Sequence, residues 1–179
     1  MNNERTDKAP SGEKRVFIVG DIIIKHINAY KISGKLENCK VLVRPCHGAT
    51  IRCLEDHVKP ALRENPDEII FHIGTNDLPS GKGNKDIAEA IINLAMSVKT
   101  QSRSVSISDI TVRKDKHQNK VQEINDQLRD LCQANNINFI DHSKSIRSQH
   151  LNKSRLHLTR RGTSILSTTF VREISNIFH

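Results

Sequence analysis

RVFIVGDI, residues 15–22, is the stretch on which the reading of this chain turns. An apolar run from Val16 to Val19 leads straight into Gly20 and Asp21, so a short strand buried on both faces ends in a turn. Four more stretches of strand length follow: KVLVR at 40–44, EIIFHI at 68–73, SVSIS at 104–108 and INFI at 137–140. They lie close to the distance apart that a crossover helix requires, and helical stripes fill the gaps. Ile51, Leu54, Val58 and Leu62 recur at three- and four-residue steps behind Thr50, a candidate N-cap. Ile87, Ile91, Leu94 and Val98 form a second stripe, and Val121, Ile124, Leu128 and Leu131 a third. Leu166, Phe170, Ile174 and Ile177 close the series behind Gly162. The segment 23–32 is apolar but less regular, and a helix is expected there too.

Strand and helix thus alternate five times, which implies a three-layer α/β/α domain around a five-stranded parallel sheet with right-handed crossovers. At 179 residues the chain fits one domain that buries roughly two-thirds of its unfolded surface. Residues 1–14 are polar and are expected to form a disordered tail, leaving 15–179 as the domain. No internal repeat or low-complexity block interrupts it.

Lysine and arginine number 28 against 20 acidic residues, a net charge of +8 that permits nonspecific attraction to nucleic acid or an anionic surface. One Tyr and no Trp argue against a base-stacking platform. No apolar run reaches the roughly 18 residues of a membrane span. The start has no apolar core of the secretory kind. An intracellular, cytoplasmic protein is therefore expected, with Cys39, Cys46, Cys53 and Cys132 as reduced thiols. The cysteines lack metal-ligand spacing and the nine histidines form no HExxH pattern, so no metal is expected.

In an open parallel sheet the functional crevice lies beyond the carboxyl ends of the strands. Three motifs fall there: Gly20-Asp21-Ile22, HGATI at 47–51, and Gly74-Thr75-Asn76-Asp77. A fourth, Leu156-His157-Leu158, precedes the last helix. Taken singly they are ordinary, since Gly after a strand is usually a turn and Asn-Asp commonly a cap.

Their joint order is more specific. VFIVGD, HGATI, IGTND and LHLTRRGT resemble the blocks of the SGNH hydrolase superfamily, the GDSL-type esterases, over residues 15–178. The chain is similar in particular to SGNH domains of invertebrate proteins related to retroelements. The resemblance implies a flavodoxin-like sheet of order 2-1-3-4-5, acting on ester bonds without metal or organic cofactor. It assigns an oxyanion hole to the backbone N–H groups at Ile22 and Gly48 and the side-chain amide of Asn76, with His157 as general base. Two departures stand out. Ile22 occupies the place of the family's nucleophilic serine, and Ser154 that of the aspartate that would orient His157.

Other groups near these motifs have plainer readings. Cys46 is a conceivable nucleophile but is better read as a small buried hydrophobe. Asp141 or His142 could orient His157, although Asp141 fits a turn cap. His72 reads as a core histidine with its hydrogen bonds satisfied. Three functions follow: an impaired esterase-fold domain that binds a small acyl or ester ligand, a basic nucleic-acid-associated module of retroelement origin, and a hydrolase in which His157 activates water.

Overall fold

A computed structural model describes residues 12–179, and most of the expected tail lies outside them, at 1–11. The first strand, β1 (Lys14–Gly20), shows why the sheet forms where it does. Val16 and Ile18 point to one face while Phe17 and Val19 point to the other, and all four are fully buried. Around it lie β2 (Cys39–Pro45), β3 (Glu68–His72), β4 (Ser104–Ser108) and β5 (Asn138–Ile140), all paired in parallel in the order β2-β1-β3-β4-β5. This is the order implied by the resemblance. Because the chain leaves β1 toward one neighbour and later returns on its other side, the carboxyl ends of β1, β2 and β3 flank a switch point.

Each sheet face has its own apolar layer. Phe17, Val19, Ile69 and Phe71 pack with α2 (Ile51–His57), α4 (Asn84–Lys99) and α5 (Gln118–Ala134). Val16, Ile18 and Ile70 pack with Ile24, with Ile32 of α1 (Ala29–Ser33), and with Leu166, Phe170 and Ile174 of α6 (Arg160–Phe178). Among the described residues no helix is long and apolar enough to cross a membrane.

Two expected helices are divided. The segment 23–32 holds a 3-10 turn (Ile22–His26) and then α1, with Ile27 extended between them. Asn28 causes the break, because its side chain accepts the Lys31 N–H at 3.0 Å and starts a new helix. The run Ile22-Ile23-Ile24 is also β-branched throughout and poorly suited to a long α-helix. Likewise α2 ends at His57 and α3 (Lys59–Leu62) follows it, since Pro60 lacks the N–H that a continuous helix would use.

Thr50 precedes α2 without capping it by its side chain. The cap comes instead from Asp77, whose Oδ2 accepts the Ile51 N–H at 3.1 Å. The Thr50 hydroxyl turns to Cys53 Sγ, 3.3 Å away.

One carboxyl is enclosed in the sheet. Glu68 is fully buried, its Oε1 accepts the Ser106 hydroxyl at 2.5 Å, and Asn138 Nδ2 donates to Ser106 Oγ at 3.1 Å. Its Oε2 has no partner among the described residues, and burial raises its pKa to about 7.

Glu68 keeps its proton to about pH 7 in the folded chain, against 4.5 for an ordinary glutamate. Its contribution is therefore complete below the lower value and is lost as pH rises toward the higher one. Unfolding by urea from about pH 4.5 to about pH 8 should show Glu68→Gln gaining about 2 kcal/mol on the parent across that window. Parallel stability curves would show that Glu68 is ionised in the fold. A second variant, Asp77→Ala, should lower stability by about 1–2 kcal/mol through loss of the α2 cap. Unchanged thermal unfolding would mean that the cap contributes nothing.

Candidate functional site

Gly20 and His72 set the geometry at the strand ends. A Cβ on Gly20 would lie 2.1 Å from the His72 carbonyl oxygen, so only glycine lets β1 and β3 approach so closely. The Asp21 N–H donates to that same oxygen at 3.2 Å, and the Cys46 N–H donates to the Gly20 carbonyl at 2.7 Å. The ends of β1, β2 and β3 are thereby stitched together.

Asp21 turns its carboxyl inward. It is 1% exposed and accepts the Ile23 N–H at 2.9 Å, which caps the 3-10 turn. Burial raises its pKa to about 7, and Asp77 adds to the rise, while the Ile23 N–H and Arg113 oppose it. Ile22 opens the turn with its side chain partly exposed.

The second motif forms a tight turn in which the Ala49 N–H donates to the Cys46 carbonyl at 3.2 Å. Gly48 sits there at φ +65°, exposed and with open space around it. Asn76 joins the third motif to the second, its Nδ2 donating to the Ala49 carbonyl at 2.9 Å. One N–H of that amide thus remains available, and the backbone N–H groups of Ile22 and Gly48 have no acceptor among the described residues. Uncharged N–H donors at neighbouring strand ends are the type of group that stabilises a carbonyl or oxyanion oxygen.

His157 lies on an exposed loop before α6. Its carbonyl accepts the Asn152 N–H at 2.7 Å, and Lys114 N–H donates to the neighbouring Arg155 carbonyl at 3.1 Å. The second bond ties the loop to the segment after β4, on the strand-end side of the sheet. The imidazole itself has no hydrogen-bond partner among the described residues. Ser154 does not orient it: the hydroxyl bonds the Asn152 side chain and lies 3.4 Å from the backbone N of Leu156 and of His157.

The substitutes considered from sequence are engaged elsewhere. Asp141 pairs with Arg129 at 3.0 Å and accepts the Ser143 N–H at 2.8 Å, so it does not orient His157. His142 does not either, because it is buried and its Nε2 lies 2.7 Å from Ser108 Oγ. Cys46 is half-buried, and burial pushes its thiol up, away from a reactive thiolate. His72 is a core histidine, with Nδ1 2.7 Å from Ser108 Oγ and Nε2 3.0 Å from Thr111 Oγ1. Burial lowers its pKa to about 4. Among the described residues no three His, Cys, Asp or Glu side chains are grouped to hold a metal.

Two supporting residues escaped the sequence reading. Asp77 caps α2, although it stood inside a motif already singled out. Arg113 donates through Nη1 to the Thr75 carbonyl at 2.8 Å and hydroxyl at 2.9 Å, and through Nη2 to Asp115 at 2.6 Å. It braces the loop that presents Asn76, and the Arg-Lys-Asp run at 113–115 was its only local signal.

Around His157 the surface is one-signed. Residues 142–172 contain no Asp or Glu, and Lys144, Arg147, Lys153, Arg155, Arg160 and Arg161 are all exposed. None of these six forms an ion pair with the described residues.

Comparison with known proteins agrees with this architecture. A lipase/acylhydrolase of Enterococcus faecalis is similar at TM-score 0.78 and 19% identity, over 92% of this chain and 96% of that one. A GDSL-like lipase of Bacteroides thetaiotaomicron matches at 0.79 and 17%, over 94% and 92%. An acetylxylan esterase of Geobacillus stearothermophilus matches at 0.75 and 18%, over 91% and 95%. No curated protein matches by sequence. The model of the GDSL-like Lipase/Acylhydrolase family matches residues 28–165, more than half of the chain, and the chain belongs to that family.

Proposed function

We propose that this GDSL-like domain binds a small acyl or carbonyl-containing ligand at the ends of β1, β2 and β3 without normal turnover. The observation that carries this is Ile22. It follows Gly20-Asp21 at the head of the 3-10 turn, where the family resemblance expects a nucleophilic serine, and its side chain has no atom able to attack. Variants of the Geobacillus acetylxylan esterase that lack a serine or an aspartate are described as catalytic mutants. This chain has Ile22 and Ser154 at the positions we assign to those groups.

The donors are untouched by that exchange. Isoleucine keeps its backbone N–H, Gly48 keeps its own, and Asn76 can donate without titrating. His157 would supply the base, but no carboxylate fixes its tautomer. Loss of a triad nucleophile costs on the order of a millionfold in turnover, and what remains is about a thousandfold over water. The unit in this role begins with Lys14, the first residue of β1, one position before the boundary expected from the sequence, and runs to residue 179. The four cysteines are free, which supports an intracellular, cytoplasmic setting.

A second reading rests on the uninterrupted positive charge of residues 142–172, which suits a polyanion such as RNA. On that reading the esterase fold is a scaffold for a nucleic-acid-associated module.

Parent and Ile22→Ser chains exposed to a fluorophosphonate probe decide the first reading. Only the serine form should label, and the parent should hydrolyse p-nitrophenyl acetate no faster than its denatured control. Labelling of the parent at a residue in this site would overturn the proposal. For the second reading, a gel shift of single-stranded RNA should appear at low salt and fade by about 200 mM. No shift at micromolar protein sets that reading aside.

A further inference from the structure

Tyr30 and Met96 are the exposed large apolar side chains among the described residues, and Tyr30 is the extreme case at 87%. Phe17, Phe71 and Phe170 are by contrast fully buried. One exposed ring is ordinary by itself. Its setting is not. Tyr30 lines an open groove of about 890 Å³ between α1 and α6. Its side chain has no hydrogen-bond, ring or cation partner among the described residues.

Both walls of the groove are cationic. His26, Lys31 and Lys35 line the α1 side and Arg160 the α6 side, and all four are exposed. None of them forms an ion pair among the described residues, and no Asp or Glu lines the groove.

The wall formed by α6 also carries a stripe of hydroxyls. Thr163, Ser164, Ser167 and Thr168 recur at helical steps, beside the apolar stripe of Leu166, Phe170 and Ile174 that faces the sheet. Ser167 Oγ donates to the Thr163 carbonyl at 2.9 Å, and Thr168 Oγ1 to the Ser164 carbonyl at 3.0 Å. With those protons held by the helix, the two oxygens offer acceptors to the groove.

The groove thus combines cations, a free aromatic face and hydroxyl acceptors. An acidic peptide answers only the first, since carboxylates cannot donate to the hydroxyl oxygens. A single strand of RNA answers all three. Its phosphates meet the cations, an unstacked base meets the ring, and its 2′-hydroxyl and amino groups are donors. Arg160 also belongs to the acid-free run 142–172, so the groove continues that positive surface. One ring cannot build a platform for several bases, but it can hold one.

We propose that the groove between α1 and α6 holds a short stretch of single-stranded RNA, with a base stacked on Tyr30 and phosphates on Lys31, Lys35 and Arg160. This placement rests on the second reading above, in which the positive surface serves a polyanion, and it fixes where a base is held.

The chain has one Tyr and no Trp, so the intrinsic emission of the full protein reports Tyr30 alone. Three probes of matched charge separate the possibilities: a single-stranded RNA of about 12 nucleotides, inorganic polyphosphate and polyglutamate. RNA should quench the emission, and the other two should leave it unchanged. Tyr30→Ala should weaken RNA binding by about tenfold, while Tyr30→Phe, which keeps the ring, should bind as the parent does. Replacing Lys31→Ala together with Lys35→Ala should flatten the dependence of log affinity on log salt by about 1.4. RNA that binds without quenching, or equally well to Tyr30→Ala, lies elsewhere on the basic surface; that result overturns this placement and leaves the second reading standing. Equal quenching by polyphosphate or polyglutamate would overturn the base contact and with it the choice of RNA. Absence of RNA binding by the parent at low salt removes the second reading and this placement together.

Discussion

The close passage of β1 against β3 at Gly20 and His72 is the contact on which the functional end of the molecule depends. The His72 carbonyl fills the space a side chain on residue 20 would need, and it also accepts the Asp21 N–H. That bond fixes the direction in which the chain leaves β1. Once Asp21 points inward, its carboxyl caps the 3-10 turn and Ile22 comes to the head of that turn. The second strand is locked to the same point by the Cys46 N–H on Gly20. A side chain at position 20 would therefore disturb three strand ends together.

Around this point the fold solves one problem repeatedly: how to keep ionisable groups in a nearly dry interior. Asp21, Glu68 and Asp109 all have their pKa values raised by burial, and His72 and His142 have theirs lowered. Each shift favours the uncharged form, because an unpaired charge in that surrounding would be far more costly than a neutral hydrogen-bonded group. The serines of β4 mediate the arrangement, Ser106 toward Glu68 and Ser108 toward the two histidines. This strand reads as half polar in sequence, yet it lies between two others, and Ser106 and Ser108 are buried.

Much of the candidate site was legible because the residues that the resemblance names sit immediately after strands. Gly20, Gly48 and Asn76 follow apolar runs, and the rule that crevices lie beyond strand ends located them without any distance. Asp77 and Arg113 were not legible in the same way. Asp77 caps a helix that begins 26 residues earlier, and Arg113 reaches back 38 residues to Thr75. Nothing local distinguishes such a side chain from a surface charge. The failure of Asp141 and His142 as partners for His157 has the same origin: Arg129 and Ser108 take them first.

By itself the sequence determined the alternation of strands and helices, the chain order of the four motifs, and the absence of a hydroxyl or thiol at position 22. These follow from local hydrophobic period and residue type, which act over a few residues at a time. The tertiary structure decided which polar groups meet. The chain from Thr111 through His72 and Ser108 to His142 depends on the register of parallel strands, where His72 lies opposite Ser108 and Ser108 opposite Ile140. Parallel neighbours are joined through long crossovers, so that register is set by packing of the helices on the sheet rather than by any turn.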